Sequence, residues 1–219
     1  MDKLTVIDIE TENTGYDIMK HNKRIISVQM FDGGTGRLFY DGSESSPIGA
    51  AKEAILSQVD DGYEFVGFNV RNFDVPLIKE FMGVEIPIGQ VIEIGEMPQM
   101  NDIRRNLGKQ WPRLFEVCDH LGIECSHKGL MDNISSRLQS RPDVIALAKD
   151  GATNLAKEKG STPEYWHNRT LAKVAGGMAI LESFNEFVRS GGNTDSLFYK
   201  YAMGDVFAEH RLFEALQKI

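Results

Sequence analysis

At 219 residues, 42% hydrophobic and 26% charged, the chain has the length and composition of one soluble domain with a full core, which excludes a disordered or fibrous protein. A net charge of -8 argues against a broad phosphate-binding surface that works by counterion release, yet leaves room for a nucleic-acid enzyme whose acids are offset by bound cations. The two cysteines supply no disulfide framework, MDKLTVIDIE lacks the basic and apolar regions of a signal peptide, and no apolar run approaches about 18 residues, so the expectation is a cytoplasmic protein with no membrane partner.

Residues 3–9 (KLTVIDI) and 25–31 (IISVQMF) are β-branched and apolar, and GGTG at 33–36 turns into a third strand, RLFY. Ser46-Pro47 opens a helix with Ile48, Ala51, Ile55, Leu56 and Val59 at helical spacing, and EFVGF at 64–68 reads as a short buried strand. A helix follows from about Asp74, carrying Leu77, Ile78 and Phe81. From 84 to 110 only VIEI at 91–94 has a strand pattern. Pro112 starts a helix with Leu114, Val117, Cys118 and Leu121 on one face, stopped by Gly122. The polar stretch 125–162 predicts one or two short helices, and two long helices follow, from about Pro163 to Val188 and from about Thr194 to Lys218. Strands first and helices later predict an α/β domain, a mixed sheet flanked by helices, with a helical insertion at roughly 98–190.

Four acids stand out by setting. With 32 acidic residues, roughly 5 acid-x-acid pairs arise by chance, so Asp8-x-Glu10 alone proves nothing. On a strand, however, both carboxylates project from one face while Ile7 and Ile9 take the other. Either a solvated strand end or a cation must compensate them. Asp74 is placed to complement the dipole at a helix start, and Tyr201 and Asp205, four apart, share one helical face. Each also has a plain structural reading: an N-cap acid, a core aromatic, a solvated or Lys-paired acid.

Taken in order, DIETE, NxxNFDxP and YxxxD resemble the three exonuclease motifs of the DnaQ-like (DEDD) superfamily, and GFNVRNFDVPLI is similar to the second exonuclease motif of family B DNA polymerases. The match covers about thirty residues spread from 4 to 209, and the histidine subclass is disfavoured because its histidine position holds Lys200, whereas Tyr201 resembles the tyrosine subclass. The resemblance implies an RNase H-like fold in which Asp8, Glu10, Asp74 and Asp205 hold two Mg²⁺ or Mn²⁺ ions, with all-oxygen ligation disfavouring zinc. It further implies 3′-to-5′ hydrolysis of a phosphodiester, one ion activating water and the other stabilising the leaving 3′ oxygen, with Tyr201 orienting the water. By the same analogy Thr11, Asn69 and Phe73 contact the terminal nucleotides; as plain readings, Asn69 builds its turn and Phe73 joins the core.

The candidate strand-binding cations are Lys20, Lys23 and Arg24 in the first hairpin, and Arg104, Arg105, Lys109 and Arg113 near Trp111; small basic runs are more often solvated faces. Cys118, His120, Cys125 and His127 superficially offer four zinc ligands, but two residues apart on a helix point about 200° away from one another, and Cys118 fits the apolar face. The leading reading is a single-domain, metal-dependent 3′-to-5′ exonuclease on single-stranded DNA ends, with a polymerase or repair partner left open. Two alternatives stand beside it: an exoribonuclease resembling ribonuclease D, and a non-catalytic nucleic-acid-binding domain of the same fold.

Overall fold

The computed structural model describes residues 3–17, 20–125 and 129–219. The chain is α/β, with a five-stranded mixed sheet and, among the described residues, eight α-helices. None of these helices is long and apolar enough to cross a membrane. Two compact units are present. The first comprises Met1–Glu10, Ile25–Lys128 and Tyr199–Ile219, and the second Thr11–Arg24 and Gly129–Phe198.

The strands are β1 (Leu4–Asn13), β2 (Asn22–Phe31), β3 (Gly36–Tyr40), β4 (Glu64–Gly67) and β5 (Val91–Glu93), in the order β3-β2-β1-β4-β5. β2 and β3 pair antiparallel, whereas β1 with β4 and β4 with β5 pair parallel, Val6 opposite Val66 and Gly67 opposite Glu93. Three parallel strands therefore present their carboxyl ends together, the side on which open α/β sheets bind ligands.

In the first unit, alternation along β1 sorts side chains onto two apolar clusters. Ile7 and Ile9 join the helices α1 (Ile48–Asp60) and α2 (Asp74–Met82) through Ala51, Ile55, Leu77 and Ile78. Val6 and Val66 instead join α3 (Met100–Leu107), α4 (Leu114–His120) and α8 (Leu197–Leu216) through Met100, Val117, Met203 and Val206. Gly67 ends β4 where a Cβ would stand 3.0 Å from the Ile7 carbonyl and 2.8 Å from Val70, so a side chain there would push the loop after β4 away from β1.

In the second unit, α5 (Asp132–Leu138) and α6 (Pro142–Lys159) pack on α7 (Pro163–Arg189). Val144, Ala148 and Ala152 form a narrow buried seam on α6, and the Thr170 hydroxyl of α7 donates to the Ala148 carbonyl at 2.9 Å. Two helical glycines admit residues of the first hairpin: a Cβ at Gly151 would meet Tyr16 at 2.4 Å, and one at Gly177 would meet the Asn13 carbonyl at 2.2 Å.

Several elements differ from the sequence expectation. The first two strands extend further toward their hairpin than residues 9 and 25, because polar residues there still pair in the sheet. The stretch 84–110 holds two single-turn 3-10 segments flanking β5 and the short α3, whose Met100 and Ile103 are its buried residues. Pro112 lies before α4 and does not start it; the helix begins at Leu114. In 125–162, α6 is 18 residues long, not short, since alanine and glycine can line a helix seam that has little hydrophobic signature. The last helix starts at Leu197, three residues later than expected, after a turn at Asn193.

Candidate metal centre

Beyond Val6, the same face of β1 carries Asp8 and Glu10, which therefore point toward α8. On α8, Tyr201, Asp205 and Glu209 repeat at intervals of four and line one face, while Ala202, Met203 and Val206 are buried in packing. The result is a cluster in which one oxygen from each of Asp8, Glu10 and Asp205 lies within 4.8 Å of the others. Asp205 is 6% exposed, Glu10 9%, and Asp8 is partly buried. Two carboxylates at that separation repel by about 3 kcal/mol at an effective dielectric of about 20, more than a typical hydrogen bond returns.

Asp74, the first residue of α2, is buried, and its Oδ1 accepts the Ile9 N–H at 3.0 Å, which ties it to β1 between the two strand acids. Burial pushes its carboxyl well above the usual carboxylate range; the Asp8 charge adds to this, the Ile9 N–H opposes it, and Glu93 contributes a smaller push upward. Three of the four expected acids thus converge, and the fourth stands beside them, within reach of the Asp8 charge.

Tyr201 is partly buried, and the Glu10 charge, burial, and the Asp205 and Asp8 charges together push its phenol well above its ordinary value. A phenol held protonated in this way is a hydrogen-bond donor. The neighbouring Lys200, in the position that the histidine subclass would fill, is exposed.

Two acids were not singled out from the sequence. Glu209, 3% exposed, accepts the Phe68 N–H at 3.2 Å with Oε1, while its buried Oε2 has no hydrogen-bond partner among the described residues. Burial, and then the charges of Asp8, Asp205 and Asp74, push its carboxyl well above the usual range. The helical period that joins Tyr201 to Asp205 also reaches Glu209, so the signal was present. Glu93, at the end of β5, is 5% exposed and accepts backbone N–H groups of Asn69 at 2.7 Å, Gly95 at 2.9 Å and Arg71 at 3.2 Å. It shapes the loop between β4 and α2, where Asn69 adopts φ 70°, a left-handed conformation that asparagine tolerates better than most residues.

The donor set is entirely oxygen, its charges are alike, and burial makes their mutual repulsion costly, so a divalent cation is the group this constellation fits best. Oxygen ligation suits Mg²⁺ or Mn²⁺. No protein-family model matches the chain, and no curated protein sequence matches it.

The three expected substrate contacts have distinct settings. Thr11 is buried and its hydroxyl donates to the Asn22 side chain at 2.7 Å. Asn69 is exposed in its loop, whereas Phe73 is half-buried against the apolar cluster of α1 and α2, consistent with its reading as a partial core residue. Most of the candidate cations have acidic partners: Lys23 and Arg24 pair with Glu12, Lys20 with Asp17, Arg105 with Asp102, and Lys109 with Glu116. Cys118 is fully buried in the apolar cluster of α4 and α8, and a hydrogen bond with Cys125, followed by burial, raises its thiol, which opposes metal binding. His127 of the superficial zinc pattern lies outside the described residues.

Proposed function

We propose that this chain is a two-metal 3′-to-5′ exonuclease of the DnaQ-like, tyrosine-subclass kind, with an RNase H-like fold across a single domain that carries a helical insertion, acting on the 3′ end of single-stranded DNA. The observation that carries the reading is the convergence of Asp8 and Glu10 on one strand face with Asp205, beside a partly buried Tyr201 on the same helical face as Asp205. The mixed five-stranded sheet with helices on both faces is compatible with that fold.

Asp8, Glu10, Asp74 and Asp205 would hold the ions, which when bound supply Lewis acidity toward a phosphodiester and lower the pKa of a coordinated water. The protein's own residues do the rest. Asp74 is anchored by the Ile9 N–H, so its orientation is set by the β1 backbone. Tyr201, kept as a neutral phenol by the surrounding acids, donates a hydrogen bond to the attacking water and orients it without taking its proton. The β4–α2 loop is held by Glu93, which accepts the Asn69 and Arg71 backbone N–H groups.

The direct test incubates 5′-labelled DNA and RNA oligonucleotides with the protein in Mg²⁺, Mn²⁺ or EDTA. A ladder shortening from the 3′ end of DNA, abolished by EDTA and by Asp8→Ala, is the expected result. An intact substrate, or cleavage that survives EDTA, overturns the proposal; preferential shortening of RNA would move it to the exoribonuclease reading.

A further inference from the structure

Beside the acids, the first unit contains a second concavity that the hydrolytic scheme does not use. A cavity of about 530 Å³ opens between the β4–α2 loop and the segment around α3, lined by Asn69, Asn72, Glu93, Arg104, Trp111 and Arg113. Its size falls within the range of small-molecule sites. Phe68 lines it too, and the same residue's N–H holds Glu209, so the cavity and the carboxylate cluster share one loop as a wall.

Trp111 is 77% exposed, and it sits at this cavity instead of in the core. An exposed indole at a cavity presents a π-face on which a planar ligand can stack. The Arg104 guanidinium stands over the ring at 5.5 Å and donates to the Gly95 carbonyl and the Asn101 side chain. Those partners are uncharged, so the positive charge of Arg104 is retained at the cavity. Of the acids in the lining, Glu96 is paired with Arg71, whereas Glu93 keeps its charge with its oxygens engaged by three backbone N–H groups, so Arg104 and Arg113 outweigh one remaining carboxylate. What the cavity offers a ligand is therefore an aromatic face, cationic guanidinium groups and side-chain amides.

We infer that this cavity is a nucleotide subsite, in which one base of the bound strand stacks on Trp111 while its phosphate meets Arg104 and Arg113. The inference rests on the exonuclease reading for the identity of the strand. Stacking on an aromatic side chain tolerates any base, because each has a π-face, so the subsite adds affinity without sequence preference. It also gives an acidic chain a local place to hold polyanion.

Trp111 and Trp166 are the two tryptophans, so in a Trp166→Phe background the emission reports on Trp111 alone. A short single-stranded DNA oligonucleotide titrated in EDTA, where no hydrolysis is expected, should quench that emission saturably. Trp111→Ala should weaken binding about tenfold, and Trp111→Phe less, matching loss of roughly one base stack. With metal present, the same substitution should raise KM by about tenfold and leave kcat nearly unchanged. High exposure of Trp111 means that its removal spares the fold, and an unchanged melting temperature checks this. If the wild type shortens DNA while emission stays constant and Trp111→Ala keeps its KM, the subsite is wrong and the exonuclease stands. If the wild type fails to cleave yet the oligonucleotide quenches Trp111, the exonuclease reading falls and the nucleotide subsite survives. Absence of both cleavage and quenching overturns the two together.

Discussion

In the second unit, charged side chains stay near the surface and find partners there: Arg137 with Glu182, Arg141 with Asp143, and Lys23 and Arg24 with Glu12. The first unit buries Glu10, Asp74, Glu93, Asp205 and Glu209, all of one sign, and these are the charged residues among the buried set. Surface pairs need little explanation, since each is worth about 0 to 1 kcal/mol and costs almost no desolvation. Buried like charges are the opposite case, because both desolvation and mutual repulsion oppose them. One unit is thus arranged as its packing requires, through an alanine seam and matched ion pairs, whereas the other keeps an arrangement that stability alone would remove. The difference is the ground on which a cation is proposed for the first unit.

The comparison breaks most visibly in the first unit. Asp205→Ala should lower hydrolysis by more than about 10⁴-fold, and Tyr201→Phe, which removes a water-orienting hydrogen bond and no proton transfer, by about 10²-fold. Steady-state rates on a labelled oligonucleotide check both; a Tyr201→Phe loss as large as that of Asp205→Ala would mean that the phenol does more than orient water.

The next effect concerns stability and pH. Asp74 and Glu209 hold their protons to higher pH in the folded state than in the unfolded one, where values near 3.8 and 4.5 apply. The folded state therefore binds more protons above that range, and stability falls as pH rises from it through the raised values, by about 1.4 kcal/mol per pH unit for each carboxyl. Calorimetry in EDTA should show a melting temperature that declines as pH rises from that range, with Mn²⁺ making the decline shallower. Glu209→Gln should flatten the EDTA curve as well. Identical profiles with and without Mn²⁺ would argue that no cation binds at the cluster.

Smaller effects belong to the second unit. Gly177→Ala adds up to about 1 kcal/mol of helix propensity but drives a methyl against the Asn13 carbonyl at 2.2 Å, and overpacking costs about 1 to 3 kcal/mol. The clash should win, so the melting temperature should drop; a rise would mean that the hairpin moves aside freely. Smallest is Arg137→Ala, which removes an exposed pair with Glu182 and should change unfolding free energy by less than about 1 kcal/mol with no effect on hydrolysis.

Much of this arrangement can be read from local periods. Alternation in VIDIE orients Asp8 and Glu10 together, and four-residue spacing aligns Tyr201 with Asp205. Asp74 is legible as a helix start after a short strand. Glu209 extends the same helical face, yet an acid one turn further resembles any solvated residue until its burial is known. Glu93 is hidden for another reason: in VIEI its partners are backbone N–H groups of a loop that turns back on it, an arrangement without sequence period. Helix α6 escapes because Ala148, Gly151 and Ala152 bury a seam through small size instead of hydrophobicity. Trp111 could be located as an aromatic among arginines, but its exposure at a cavity depends on the loop from Phe68 to Asp74 lying opposite.

The placement of Asp205 on α8 also bears on how the protein is made. Asp8 and Glu10 emerge early in synthesis, whereas the helix that completes their cluster emerges only after the second unit has been translated. Contacts of such long sequence separation form late and slowly. A nascent chain or a fragment that stops short of α8 can hold the strand acids and Asp74 but lacks Tyr201 and Asp205. On the proposed reading, such a partial chain should show no hydrolysis of a labelled oligonucleotide.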